Sequence, residues 1–89
     1  MIETQVTIIN KLGLHARAAA KLVGCTSAFS SDIQAGVGGN MVDAKSIMSV
    51  MMLAAGKGTV LDLKINGGDE EAALEAITTL IDNRFDEAE

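Results

Sequence analysis

The stretch TVLDLKINGGDEEAALEAITTLI, residues 59–81, decides the fold class. Its first part alternates. Thr59, Leu61, Leu63 and Ile65 point one way and Val60, Asp62, Lys64 and Asn66 the other, which is the period of a strand with one buried face. Gly67 and Gly68 turn the chain. The period then becomes helical: Ala73, Leu74, Ile77, Leu80, Ile81 and Phe85 form one apolar stripe. Asp69 is expected to cap this helix, with Glu70 and Glu71 at the positive end of its dipole and Arg84 at the other end.

Working outward, the same two periods recur. Ile2, Thr4, Val6 and Ile8 alternate with Glu3, Gln5 and Thr7 in a first strand. After a break at 10–13, the Ala-rich segment from about Ala16 to Ala28 favours helix, with Ala18, Leu22, Cys25 and Phe29 on its apolar stripe. Ile33, Ala35 and Val37 give a second strand. Gly38, Gly39 and Asn40 read as a tight hairpin turn, and Met41 to Ala44 as a short return strand. Ser46 is placed to cap a short helix from Ile47 to about Ala55, closed by Gly56 as its C′ residue. The expected order is β-α-β-β-α-β-α, a two-layer α+β sandwich of four strands and three helices, with one sheet face covered.

The 89 residues suffice for one modest core, so one domain spanning 1–89 is expected. Two Phe are the only aromatics and the net charge is −5, which argues against a nucleic-acid partner. Residues 69–89 hold eight acids against Arg84, a net of −7, whereas residues 1–68 carry a net of +2. This reads as a solvated acidic tail beside a mildly basic working surface that would steer an acidic partner. One Cys and one His supply neither a disulfide nor a zinc-ligand set, and no metal or cofactor is expected. The opening Met-Ile-Glu-Thr has no signal-peptide character, and the apolar stretch Val50 to Ala55 is far short of a membrane span. A monomeric cytoplasmic protein without a membrane partner is expected.

The chemistry gathers at His15, the chain's one histidine, in the turn Gly-Leu-His-Ala-Arg before the first helix. A lone surface His is ordinarily without consequence, but its neighbours change that reading. The positive end of a helix dipole favours neutral imidazole, whose free lone pair is nucleophilic. The amides of Ala16, Arg17 and Ala18 belong to a first helical turn without intrahelical acceptors and make an anion cradle. Arg17 adds a planar fork of donors, and Gly13 permits close backbone approach. Phosphoryl transfer asks mainly for positioning and charge stabilisation, which this group supplies.

Gly13-Leu14-His15-Ala16-Arg17-Ala18-Ala19 resembles the active-site signature of the HPr family, the histidine-containing phosphocarriers of the bacterial phosphoenolpyruvate-dependent phosphotransferase system. Ala44-Lys45-Ser46-Ile47-Met48 resembles that family's regulatory serine segment, and Lys57-Gly58-Thr59 before an alternating strand also fits. The resemblance covers essentially the whole chain and has a proteobacterial look. It implies the open-faced sandwich with an antiparallel sheet. It further implies that Nδ1 of His15 takes a phosphoryl group from phosphorylated enzyme I and passes it to an EIIA-type protein. Arg17 would assist the transfer. Ser46 would be the target of an HPr kinase/phosphorylase where one exists. The chain would be a carrier rather than an independent catalyst. It departs from the pattern at Ala18, where the family usually has Pro.

Ser46 is equally well read as a plain N-cap. The Ile47–Ala55 helix is apolar nearly all round. About half of it belongs in a core, and Ile47, Met48 and Met51 are expected to form an exposed docking patch, with Lys21 and Lys45 as its basic rim. The Gly56-Lys57-Gly58-Thr59 turn lacks the residues of a phosphate-binding P-loop, and Cys25 reads as a small buried hydrophobe. Other functions remain open at this point: a module regulated only through Ser46, a carrier of the nitrogen-related branch of the phosphotransferase system, and a small-molecule-binding α/β domain.

Overall fold

A computed structural model describes residues 1–88. Four strands, β1 (Ile2–Thr7), β2 (Asp32–Val37), β3 (Asn40–Asp43) and β4 (Val60–Asn66), form one sheet in the order β1-β4-β2-β3, all neighbours antiparallel. Helices α1 (Ala16–Thr26), α2 (Ile47–Met52) and α3 (Glu70–Asp82) complete the expected β-α-β-β-α-β-α order. Leu61, Leu63 and Ile65 of β4 are buried, as are Ala18, Ala19 and Leu22 of α1 and Ala73, Ile77 and Ile81 of α3. The core thus lies between the sheet and these two helices. The opposite sheet face is polar and held by cross-strand pairs. Gln5 Nε2 donates to Asp62 Oδ1 at 2.8 Å, and Lys64 lies 3.4 Å from its register partner Glu3. No helix among the described residues is long and apolar enough to cross a membrane.

The β2–β3 turn is the two-residue loop Gly38-Gly39, with φ of +62° and +86°. Both glycines therefore take the left-handed conformation that a tight hairpin demands, and Asn40 begins β3 rather than belonging to the turn. α1 stops at Thr26, two residues before the expected end. The Thr26 hydroxyl donates to Ala44 O at 2.8 Å and pins the helix end to the exit of β3.

Three terminal expectations are corrected. α2 ends at Met52, and its left-handed C′ residue is Ala54 (φ +53°), not Gly56. The reason is Ala55: its side chain is drawn into the core and its carbonyl accepts the Leu14 N–H at 2.8 Å, so the chain must turn before it. Asp69 begins α3 but makes no side-chain cap. Its carboxylate accepts instead from the Ser30 and Ser31 amides at 2.8 and 3.0 Å and from both serine hydroxyls, locking the α1–β2 loop to the start of α3. Finally, α3 ends at Asp82. Phe85 is fully buried, but it reaches the core from a turn in which Arg84, Phe85 and Asp86 all have left-handed φ of +53° to +62°.

The Asp69 network has a measurable pH signature. The serine donors, the Ser31 hydroxyl first, lower its carboxyl to about 2 from an ordinary 3.8, despite some opposing desolvation. A depressed folded value means the contribution is complete above the unfolded value and is lost as pH falls through the folded one. The melting temperature of the native chain is therefore expected to fall more steeply between about pH 4 and pH 2 than that of Asp69→Asn, with the two curves parallel above about pH 5. Parallel curves throughout, in melts followed by circular dichroism, would remove Asp69 from the acid response.

Candidate functional site

The loop before α1 is built by a buried asparagine. Asn10 is fully buried, and its side-chain amide donates to Gly13 O at 2.8 Å while Gly13 N–H donates back to Asn10 O at 3.2 Å. Gly13 has φ +66°, and a Cβ there would lie 2.6 Å from the Gly56 Cα, so only glycine lets this loop close on the α2–β4 turn. The Leu14 amide bond to Ala55 O stitches the same two segments together. His15 follows in extended conformation at the N-cap of α1, with ψ 177° and no side-chain cap bond. Its ring is half-buried and free to do something other than cap.

Ala19 N–H makes the first intrahelical bond of α1, to His15 O at 2.8 Å. The amides of Ala16, Arg17 and Ala18 precede it, and no acceptor within the helix is available to them. Arg17 is exposed and follows His15 by two residues, so one helix N-terminus brings together an imidazole, three uncommitted amides and a guanidinium. An open cavity of about 510 Å³ beside it is lined in part by Leu12, Arg17, Lys21, Asp86 and Glu87.

Glu87 departs from the solvated acidic tail that charge counting suggests, whereas Glu71, Glu75, Asp82 and Asp86 are exposed as expected. The left-handed turn at 84–86 brings the chain back, and Glu87 covers the His15 ring. His15 Nε2 donates to Glu87 Oε2, and Asn10 Nδ2 donates to Glu87 Oε1 at 2.9 Å. The Asn10 amide foremost, and then His15 and Arg17, hold the Glu87 carboxyl below its ordinary value against the opposing effect of burial. Glu87 had no signal in the sequence, because its distance from His15 is 72 residues and the turn that returns it is made of non-glycine residues in left-handed conformation.

The α2 patch is present. Ile47, Met48 and Met51 are exposed, Met48 to 70%, while Val50 is buried. Two members were not anticipated: Met52, 80% exposed, and Leu12, 65% exposed on the stitched loop. The expected basic rim differs in one respect, since both ammonium groups are engaged with the fold. Lys21 Nζ donates to Phe85 O at 3.0 Å, and Lys45 Nζ to Phe29 O at 2.8 Å, each satisfying a carbonyl at a loop end. Ser46 is the N-cap of α2, its hydroxyl accepting from Ser49 N–H at 3.3 Å. Cys25 is half-buried and unbonded, and burial pushes its thiol above the ordinary value, so it has no thiolate character.

At Ala18 the chain has a buried alanine. Its amide is one of those without an intrahelical acceptor, so proline here removes no helical bond. Ala18→Pro is expected to change the phosphoryl-transfer rate by less than about twofold and to add about 0.4–1 kcal/mol of stability through the unfolded chain. Rapid-quench transfer assays and urea melts check this; a large rate gain would show that the alanine amide harms the site.

Comparison with known proteins agrees with this arrangement. The family model for the HPr component phosphorylation site of the phosphotransferase system matches residues 2–83. The phosphocarrier protein HPr of Pseudomonas aeruginosa is 57% identical over 86 residues, 96% of each chain. That of Cupriavidus necator is 53% identical over 89 residues, the full length of both. The crystal structure of HPr-C-His from Thermoanaerobacter tengcongensis superimposes with a TM-score of 0.95 at 44% identity, again over the whole of both chains. With a histidine, an anion cradle and an open-faced sandwich already in place, these matches show that the chain belongs to the HPr family, the phosphocarrier proteins of the phosphotransferase system.

Proposed function

We propose that Nδ1 of His15 accepts a phosphoryl group from phosphorylated enzyme I and hands it to an EIIA-type protein. One observation carries this reading. A carboxylate can only accept a hydrogen bond, so the nitrogen facing Glu87, Nε2, carries a proton, and in the neutral ring the free lone pair belongs to Nδ1. The amides of Ala16, Arg17 and Ala18 and the Arg17 guanidinium then supply the charge stabilisation that transfer requires. The phosphorus–nitrogen bond is made and later broken on the same atom. The chain is thus a carrier without a substrate pocket of its own, a single HPr domain working as a cytoplasmic monomer.

The exposed apolar group of Leu12, Ile47, Met48, Met51 and Met52 is the surface proposed to meet both partners. Lys21, one turn after Arg17, and Lys45, just before Ser46, add positive charge for acidic partners while remaining bonded to their carbonyls. Ser46 is proposed as a regulatory phosphorylation site for an HPr kinase/phosphorylase. A phosphate on an α2 N-cap would be stabilised at the helix start yet place two negative charges beside Ile47 and Met48.

The test is intact-mass spectrometry after mixing the purified chain with enzyme I, Mg²⁺ and phosphoenolpyruvate. One acid-labile phosphate, absent from His15→Ala, is expected. No phosphate on the native chain, with an enzyme I from the same organism, sinks the proposal.

A further inference from the structure

We infer that Glu87 is a positioning residue for phosphoryl transfer, holding the His15 imidazole in the tautomer and orientation that present Nδ1 to the incoming phosphoryl group; this rests on the carrier reading of His15.

The contact is built from several independent anchors. Phe85 is buried completely, and its carbonyl accepts from Lys21 Nζ at 3.0 Å, which fixes the turn. Glu87 N–H donates to Arg84 O at 2.9 Å, which fixes the residue. Asn10 Nδ2 donates to Glu87 Oε1 at 2.9 Å and to Gly13 O at 2.8 Å, which fixes the carboxylate and ties it to the loop carrying His15. Asn10 keeps this orientation although its buried Oδ1 has no hydrogen-bond partner. Turning the amide over would set its oxygen against two acceptors, so both its donors are committed to placing Glu87 and the loop.

The chemistry follows from which nitrogen is covered. Glu87 occupies Nε2 and leaves Nδ1 as the reactive atom. As Nδ1 attacks, a bond to phosphorus forms there, the bond from phosphorus to the donor's leaving atom breaks, and its electron pair leaves with the donor. The Nε2 proton stays where it is, and the ring becomes cationic. A carboxylate already bonded to that proton offsets the growing positive charge without reorganising. It also prevents the ring from flipping or exchanging its proton to Nδ1, which would remove the nucleophile. A hydrogen-bonded carboxylate orienting a catalytic imidazole performs the same task in hydrolase triads. Here the site is partly open to solvent, so the effect is correspondingly smaller.

The experiment compares the native chain with Glu87→Ala, Glu87→Gln and Glu71→Gln. The last removes an exposed charge on α3, away from His15, and controls for net charge. Phosphoryl acceptance from phosphorylated enzyme I is followed by rapid quench, and the His15 ring nitrogens by ¹⁵N NMR from pH 6 to 9. Glu87→Ala is expected to slow acceptance roughly three- to tenfold and to raise the share of the Nδ1–H tautomer, with Glu87→Gln in between and Glu71→Gln unchanged. Unchanged or faster acceptance in Glu87→Ala overturns the inference, because faster transfer would make the contact an obstruction. If the native chain takes no phosphate, the carrier reading falls, while the ring-nitrogen shifts still decide whether Glu87 sets the tautomer.

Discussion

Phe85→Ala is expected to remove about 3–5 kcal/mol of folding free energy. An 89-residue domain has only about 4–13 kcal/mol in total, so the loss is a large fraction of the whole. Phe85 is fully buried in the core formed with Ile77 and Ile81, and it is the largest of the completely buried side chains. Its role is larger than filling volume. Arg84, Phe85 and Asp86 each adopt left-handed φ, which costs about 1–2 kcal/mol per L-residue. Burial of the ring is the main contribution that can offset this, because the flanking side chains of Arg84 and Asp86 are exposed. Without the ring, the turn relaxes and the Lys21 bond to Phe85 O loses its geometry. Glu87 is then released from His15. Thermal melts should show a fall of roughly 12–40 °C in midpoint at about 4–8 °C per kcal/mol. Phe85→Leu, which keeps most of the apolar volume, should recover more than half of the loss. A midpoint for Phe85→Ala within a few degrees of the native value would mean that the tail is decoration.

The same turn marks the limit of what could be read from residues alone. β1, β4, α1 and α3 were legible because each carries an uninterrupted period over six residues or more, and burial follows that period residue by residue in Leu61, Leu63 and Ile65. His15 and its amides were legible because a helix start is a local event: the N-cap, the free amides and Arg17 all lie within four residues of sequence. What escaped was non-local. Asp69 is a good capping residue by type, yet Ser30 and Ser31 offered its carboxylate more donors than its own helix did. Gly56 is a good C′ residue by type, yet Ala55 had to enter the core first and the left-handed position fell on Ala54. Lys21 and Lys45 look like free surface cations until the carbonyls of Phe85 and Phe29 are brought to them by the fold. Phe85 shows the mixture. Its stripe position gave its burial, but its backbone left the helix before it arrived.

Met48→Asp is expected to slow phosphoryl transfer from enzyme I by about ten- to a hundredfold, equivalent to about 1.4–2.8 kcal/mol, while leaving the fold intact. The structural premise is the contrast within α2. Val50 faces the core and anchors the helix, whereas Met48 and Met52 are 70% and 80% exposed and make no contribution that a folded monomer needs. Surface changes of that kind usually alter stability by less than about 0.5 kcal/mol. The functional premise is continuity. The Leu14 bond to Ala55 O joins the His15 loop to the end of α2, so Leu12 and the α2 methionines lie on adjoining segments. On the proposed function, a partner that brings a phosphoryl group to Nδ1 is expected to cover this patch. A charged side chain at its centre would be desolvated without a counter-charge. Ala72→Asp, which adds the same charge at an exposed position of α3, separates local docking from long-range repulsion and should leave the rate nearly unchanged. The rise should appear in KM, with the single-turnover rate at saturating enzyme I close to native, because the histidine and its amides are untouched. Equal rates for Met48→Asp and the native chain would move the docking surface away from α2, and an equal loss in Ala72→Asp would assign the effect to charge alone.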